Sequence, residues 1–112
     1  MKRNIKNKKN LKISHTEVRF LLRGYSALVK NNLFPQITYL INECKNEQDS
    51  LTSELIEKHY FQKTPFYFCL DSYVSESTAF RKLKIFTNSV LFRLSLDKEL
   101  LKKAKEAILY LQ

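Results

Sequence analysis

Hydroxyl and basic side chains are interleaved with apolar ones between Val74 and Lys84, in the order Val-Ser-Glu-Ser-Thr-Ala-Phe-Arg-Lys-Leu-Lys. Ser75 fits a helix N-cap, because its hydroxyl can accept a hydrogen bond from a backbone N–H that has no partner within the helix. Arginine can bond guanine bidentately, and lysine pairs with phosphate oxygens. A helix that carries these groups on its outer face is suited to a groove of DNA.

A helix over 75–88 has two distinct faces at about 100° per residue. We predict that the inner face is apolar and consists of Ala79, Phe80, Leu83 and Phe86. The outer face contains Ser77, Thr78, Arg81, Lys84, Ile85 and Asn88, with Lys82 at its flank. The candidate DNA contacts in this segment are therefore Ser75, Ser77, Thr78, Arg81, Lys82 and Lys84. An ordinary surface helix with a basic outer face shows the same pattern, so this alternative stays open.

The first residues of the chain form a basic segment. Six of the 20 basic residues precede the first acidic residue, Glu17. Of the net charge of +9, the remaining 14 basic and 11 acidic residues account for only +3. We expect a flexible arm over residues 1–13, since it is rich in Lys and Asn. Such an arm is either a solvated tail or a phosphate-contacting segment that releases counterions from a polyanion. Its candidate DNA contacts are Lys2, Arg3, Lys6, Lys8 and Lys9, with Lys12 as the sixth basic residue.

The elements that must position the 75–88 helix are themselves mostly helical. A single glycine and two prolines disfavour an all-β fold, whose tight turns need glycine. Ser14 and Glu17 form a capping box that begins a helix over 15–31, and Gly24 within it marks either close packing or a tolerated glycine. Apolar spacing predicts three further helices, over 35–46, 51–61 and 97–111. We therefore expect a mainly α domain of five to six helices over 14–112.

Two segments are ambiguous in the sequence. Thr64 and Pro65 form a helix-start signal, but the aromatic residues at 66–70 suit a buried strand as well as a helix. We choose a helix over 64–72, followed by a turn at residues 71–73. Within 90–96, apolar residues alternate with others, and this pattern favours a short strand or strand pair.

The chain contains no pattern typical of an enzyme, a metal site or a cofactor site. There is no nucleophile–base pair, no clustered carboxylate site and no glycine-rich phosphate loop. We expect Cys44 and Cys69 to be buried free thiols, because they lie on apolar helical patterns. No apolar stretch approaches about 18 residues, so we expect no membrane span. The N-terminus lacks the apolar core of a signal peptide, and we expect a cytoplasmic protein.

The run from Leu70 to Lys84 resembles the helix-turn-helix of bacterial winged-helix regulators, especially the MarR-like group. Eight residues match that motif in type: Val74, Ser75, Ser77, Thr78, Ala79, Phe80, Arg81 and Leu83. Tyr73 stands where the family has its turn glycine. The resemblance implies a motif over 64–88, a recognition helix over 75–88 and a short, reduced β wing within 90–96, with Arg93 as its basic tip. It also implies a homodimer formed by the terminal helices, over 15–31 and 97–111.

The sequence therefore predicts a dimeric transcriptional regulator that binds double-stranded DNA and reads it with the 75–88 helix. A protein–protein interaction module with the same fold is the main alternative. The aromatic cluster at residues 60, 61 and 66–68 would be its partner patch if it were exposed, and part of the core if buried. RNA binding through the basic arm is a third alternative, although no stacking-platform motif supports it. The target sequence and any small-molecule effector are not defined by the sequence.

Overall fold

A computed structural model describes residues 11–70 and 74–112, and this part of the chain is mainly helical, with six α-helices and no strand. The predicted helical class is thus confirmed. The helices are α1 (His15–Arg23), α2 (Tyr25–Lys30), α3 (Pro35–Asn46), α4 (Ser50–Ile56), α5 (Glu76–Leu96) and α6 (Lys98–Leu111). A π-helical segment, Glu57–Phe61, follows α4, and a 3-10 helix, Phe66–Cys69, precedes α5.

The start of α1 is fixed by the predicted capping box. The Ser14 hydroxyl accepts a hydrogen bond from the backbone N–H of Glu17 at 3.1 Å, and the Ser14 N–H donates to Glu17 Oε1 at 2.9 Å. Glu17 also accepts a hydrogen bond from Lys105 Nζ of α6 at 2.9 Å, and this contact lowers the pKa of the Glu17 carboxyl. The local cap therefore also anchors α1 to α6.

Gly24 separates α1 from α2, so the single helix predicted over 15–31 is wrong in its continuity. A Cβ atom at Gly24 would lie only 2.8 Å from Cδ2 of Leu111 near the end of α6. Non-bonded carbon atoms are not found this close together, so the Leu111 side chain would have to move to accept a Cβ atom at position 24. The glycine therefore marks close packing between helices, which was one of the two alternatives for this position.

Helix α3 has the predicted bounds. The helix predicted over 51–61 is α-helical only to Ile56 and continues as the π-helical segment Glu57–Phe61. After α4, the chain widens into the π-helical segment, where the N–H of Gln62 donates to the carbonyl of Glu57 at 2.9 Å. Lys63 then adopts a left-handed conformation with φ 59°, and the chain turns. This wider turn places His59 and Tyr60 beside α5, where both line the cleft described below.

Two predictions from the helix-turn-helix resemblance are wrong. The helix predicted over 64–72 is reduced to the four-residue 3-10 helix, and the predicted turn at 71–73 lies outside the described residues. The wing predicted within 90–96 is absent, because α5 continues without a break to Leu96. Val90 and Leu94 are one helical turn apart and both are fully buried, so α5 stays helical by packing this edge into the core.

Helix α5 lies at the centre of the fold and packs against α1, α3, α4 and α6. It is long because its inner face stays apolar over its whole length. The buried residues of that face are Ala79, Leu83, Phe86, Thr87, Val90 and Leu94. Helix α6 covers α1, α3 and α5, and it contributes Leu101, Ala104, Ala107 and Ile108 to the same core.

Candidate nucleic-acid interface

The N-terminus of α5 is capped as predicted, and the cap occupies two of the candidate contacts. The Ser75 hydroxyl accepts a hydrogen bond from the Thr78 N–H at 3.2 Å and donates to Thr78 Oγ1 at 2.9 Å. Ser77 is exposed, and its hydroxyl lies 3.4 Å from that of Ser75. Ser75 and Thr78 therefore stabilise the helix start, while Ser77 remains the hydroxyl most accessible to a ligand.

Arg81 and Lys84 lie on the exposed face of α5, as predicted. Within the described residues, neither side chain has a carboxylate within 4.0 Å. Lys82 differs, because its Nζ lies 3.0 Å from Oδ2 of Asp49, the N-cap of α4. Arg81 and Lys84 can therefore bind a phosphate without breaking an ion pair, and Lys82 cannot.

The predicted role of Arg93 at a wing tip is wrong. Arg93 lies in α5, and its guanidinium forms ion pairs with Glu43 of α3 and with Glu47, the C-cap residue of α3. The hydrogen bond to Glu47 raises the pKa of Arg93 further. Arg93 thus braces α5 against α3, and its charge is neutralised within the fold.

Phe80 was predicted on the inner face of α5, but 62% of it is exposed. Counted along the helix, Phe80 is displaced by about 120° from Phe86, which is fully buried. The prediction grouped it with the apolar residues Ala79, Leu83 and Phe86. In the fold, Phe80 lies instead at the edge of a cleft between α5 and α1.

This cleft has a volume of about 730 Å³ and lies among four segments that are far apart in the sequence. Helix α1 supplies His15, Arg19 and Arg23, and the π-helical segment supplies His59 and Tyr60. The 3-10 helix supplies Phe66 and Tyr67. Helix α5 forms the remaining wall with Glu76, Phe80, Leu83, Lys84 and Thr87.

Aromatic rings form one side of the cleft. Phe66 meets Phe80 edge to face at 6.3 Å between centroids, and it meets His59 at 5.8 Å. The Tyr60 hydroxyl lies 3.3 Å from Oγ1 of Thr87, which in turn donates to the carbonyl of Leu83 at 2.9 Å. These contacts hold the aromatic wall against α5.

Cations form the other side. The Arg23 guanidinium carbon lies 5.7 Å from the ring centroid of Tyr60, a cation–π geometry. Arg19 is one helical turn before Arg23, so both lie on the same face of α1. Lys84 adds a third positive charge from α5, and among the residues that the structure describes, Glu76 is the one carboxylate of the lining.

This cleft was not predicted, although two features of the sequence bear on it. Arg19 and Arg23 have helical spacing on the polar side of α1, and the aromatic cluster at residues 60, 61 and 66–68 suits either a partner patch or the core. The structure divides that cluster: Tyr60 and Phe61 are buried, Phe66 is half-buried, and Tyr67 and Phe68 are exposed. Neither feature specifies that the basic face of α1 and the aromatic cluster line the same cleft beside α5.

The predicted contacts in the basic arm lie outside the described residues, and these are Lys2, Arg3, Lys6, Lys8 and Lys9. Cys44 and Cys69 are buried free thiols, as predicted. In the segments 11–70 and 74–112, no group of three or more His, Cys, Asp or Glu side chains is arranged to hold a metal ion. Helices in the same segments are too short or too polar to span a membrane.

Comparison of the chain with protein-family models, with curated proteins and with solved structures finds no match. The residues and their geometry therefore carry the functional argument.

Proposed function

We propose that this protein is a DNA-binding transcriptional regulator whose contact surface is the exposed N-terminal half of α5. The observation that carries the proposal is the pair of Arg81 and Lys84, exposed on one face of a capped helix and free of carboxylate partners among the described residues. Arginine can recognise guanine bidentately and lysine can neutralise phosphate, so the pair combines base reading with backbone affinity.

The proposed contact differs from that of a winged helix, because residues 90–96 are helical instead of forming a wing and Arg93 is neutralised. Additional phosphate contacts must come from elsewhere. Arg19 on α1 lies across the cleft from Lys84. The basic arm supplies five more cations within residues 1–10, and together these groups make binding strongly dependent on salt, with a log–log slope near −5 for about six phosphates.

Dimerisation through the terminal helices belongs to the same proposal. The apolar stripes of α1 and α6 pack inside the protomer, where Glu17 and Lys105 also pair. The large apolar side chains that these helices leave exposed are Phe20 and Val29 near the first helix, and Leu109 and Tyr110 on α6, of which Leu109 (70%) and Tyr110 (53%) are the most exposed. A dimer would use these residues rather than the buried stripes.

The test is fluorescence polarisation with labelled random duplex DNA at low salt. We expect Arg81→Ala to weaken binding at least about fivefold, from the loss of a bidentate contact. We expect Lys84→Ala to lower the salt slope by about one. Lys98→Ala is the matched control, because Lys98 is exposed at the start of α6, and α5 continues for about 18 Å beyond Lys84 before α6 begins. Arg93→Ala is a second control, which should keep its duplex affinity. A loss of affinity in this variant would instead favour the contact that the winged-helix resemblance implied for Arg93.

Two results would contradict the proposal. One is the absence of duplex binding at low salt. The other is a loss of affinity in Lys98→Ala as large as that in Arg81→Ala, since this would indicate a diffuse charge effect. Selection of bound sequences from a random pool would then test the dimer, because a dimer selects paired half-sites about 10 base pairs apart.

A protein–protein interaction module is the second candidate, and one observation favours it. Tyr67, Phe68 and Phe80 are 67%, 79% and 62% exposed, and they lie near one another around the 3-10 helix and the start of α5. Exposed aromatic residues are enriched at the centres of protein interfaces. A partner that is retained after nuclease treatment and is lost on Phe68→Ala would favour this candidate over DNA binding.

A further inference from the structure

The cleft between α1 and α5 has the size and chemistry of a ligand site that is separate from the exposed face of Arg81. Its volume of about 730 Å³ falls within the roughly 300–1,000 Å³ typical of small-molecule sites. Arg81 is not part of its lining. Lys84 lines the cleft and also belongs to the proposed duplex contact, so the cleft is tested through Phe80 and Arg23, which that contact does not use.

The aromatic wall fits a planar ring. Phe66 meets both Phe80 and Tyr67 edge to face, with interplanar angles of 84° and 72°. In such arrangements the rings do not cover each other's faces, and Phe80 and Tyr67 stay largely exposed. An exposed aromatic face is a platform on which a nucleobase stacks, irrespective of its identity.

The cationic wall fits a phosphate. In the described part of the lining, three cations, Arg19, Arg23 and Lys84, face one carboxylate, that of Glu76. Glu76 accepts a hydrogen bond from the Tyr67 hydroxyl at 3.3 Å. Arg23 contacts Tyr60 through a cation–π interaction, which involves the charge or the face of the guanidinium. The N–H donors of Arg23 lie in the plane of the guanidinium, and the contact with Tyr60 does not occupy them. Those donors can still bind phosphate oxygens bidentately.

His59 adds a polar group beside the ring platform. Its Nδ1 lies 2.9 Å from the carbonyl oxygen of Thr64, and since a carbonyl only accepts, this nitrogen carries the hydrogen. In the neutral ring, Nε2 is therefore an acceptor, which can receive a hydrogen bond from a sugar hydroxyl or a base amino group.

We propose that the cleft binds a planar aromatic ring that carries a phosphate, with the ring on Phe80 and Phe66 and the phosphate between Arg23 and Lys84. Two sources offer this chemistry: a free nucleotide, and an unpaired nucleotide within a single strand of nucleic acid. The inference does not rest on duplex binding, because the residues of its test, Phe80 and Arg23, lie outside the proposed duplex contact.

The experiment is a titration of the full chain followed by ¹⁵N–¹H correlation spectra. The probes are adenosine monophosphate, adenosine, and a single strand of about ten deoxyadenosines. We expect saturable binding of at least one phosphate-bearing probe, with shifts centred on the cleft, and weaker binding of adenosine. Binding of free adenosine monophosphate assigns the first source, and binding of the strand alone assigns the second.

Two variants and two controls locate the site. Phe80→Ala should weaken binding at least about fivefold, from the loss of a stacking face, and Arg23→Gln should weaken the phosphate-bearing probes but not adenosine. Tyr39→Ala removes an equally exposed aromatic ring (65% exposed) on α3, outside the cleft, and should bind as wild type. Arg81→Ala should also retain nucleotide binding while losing duplex affinity, so the two proposals can fail separately.

The inference is overturned if no phosphate-bearing probe saturates at millimolar concentration. It is equally overturned if Phe80→Ala and Arg23→Gln both bind like wild type, or if adenosine binds as tightly as its monophosphate. Because Phe80 and Arg23 are exposed, both variants should fold, and an unchanged circular dichroism spectrum shows that a loss of binding does not come from unfolding.

Discussion

Two phenylalanines of α5 should respond very differently to the same substitution. Phe86 is fully buried, and its ring lies 6.4 Å from that of Tyr60. Phe80 lies on the same helix but is 62% exposed. Phe86→Ala and Phe80→Ala remove identical atoms and change helix propensity by the same amount, so the difference between them measures burial alone.

The magnitudes follow from the exposed fractions. Phe86→Ala should reduce the free energy of unfolding by about 3–5 kcal/mol, since it leaves a cavity in the core. Full burial of a phenylalanine contributes about 1.5–3 kcal/mol, and Phe80 buries just over a third of its surface, so Phe80→Ala should cost about 1 kcal/mol or less. The expected difference between the two variants is therefore about 2–4 kcal/mol.

The assay is urea unfolding followed by far-ultraviolet circular dichroism, with the melting temperature as a second measure. Domains near this size shift by about 4 °C per kcal/mol, so the two melting temperatures should differ by about 8–16 °C. The slope of the unfolding free energy against urea concentration should be the same in both variants. Equal slopes mean that the substitutions change stability and leave the compactness of the denatured state unchanged.

Equal destabilisation of the two variants, within about 0.5 kcal/mol, would refute the reasoning. It would mean that Phe80 packs inside, as the sequence pattern suggested, and that the cleft lacks its aromatic edge. A large loss in Phe80→Ala alone would also refute the burial assigned to Phe86.

Three further predictions concern other parts of the fold. The Thr52 hydroxyl and N–H hold the pKa of Asp49 at about 2, below its ordinary 3.8. The stability that this carboxylate provides is therefore complete above about pH 4 and is lost as the pH falls towards about 2. Asp49→Asn should flatten the fall in melting temperature over that range, and a pH profile identical to wild type would contradict this. Gly24→Ala should destabilise the chain by about 1 kcal/mol through its clash with Leu111. In a Leu111→Ala background the same change should become neutral or stabilising. Thermal unfolding of the wild type, the two single variants and the double variant measures both effects. Burial raises the pKa of the Cys44 thiol, so a thiol reagent should label it only in denaturant, and rapid labelling of the native protein would contradict its burial.

Local signals in the sequence were sufficient for the starts of several helices, although the Thr64–Pro65 signal led only to a 3-10 helix. Ser14, Ser75 and Asp97 each cap a helix by accepting backbone N–H groups within three residues, and such bonds need no distant partner. Pro35 likewise lies in the first turn of α3, where it was predicted. The exposed face of Arg81 and Lys84 followed from helical geometry once the start of α5 was known.

The end of α5 could not be decided locally. Val90, Phe92, Leu94 and Leu96 satisfy the alternation of a strand, but Phe86, Val90 and Leu94 also continue a helical stripe at spacing four. The helix forms because the core covers that stripe, while Phe92 and Leu96 remain 61% and 70% exposed. Alternation alone cannot distinguish these outcomes, since it does not show which side a neighbouring helix will cover.

The sequence by itself determined the helical class, the caps and the basic outer face, because each depends on residues within a few positions of one another. Only the tertiary structure decided that Arg93 is neutralised, that Phe80 is exposed, and that the cations of α1 face the aromatic rings of the 3-10 helix across α5. These features depend on which surfaces of distant segments meet. That choice is made by burying apolar area across the whole chain, and no short stretch of the sequence specifies it.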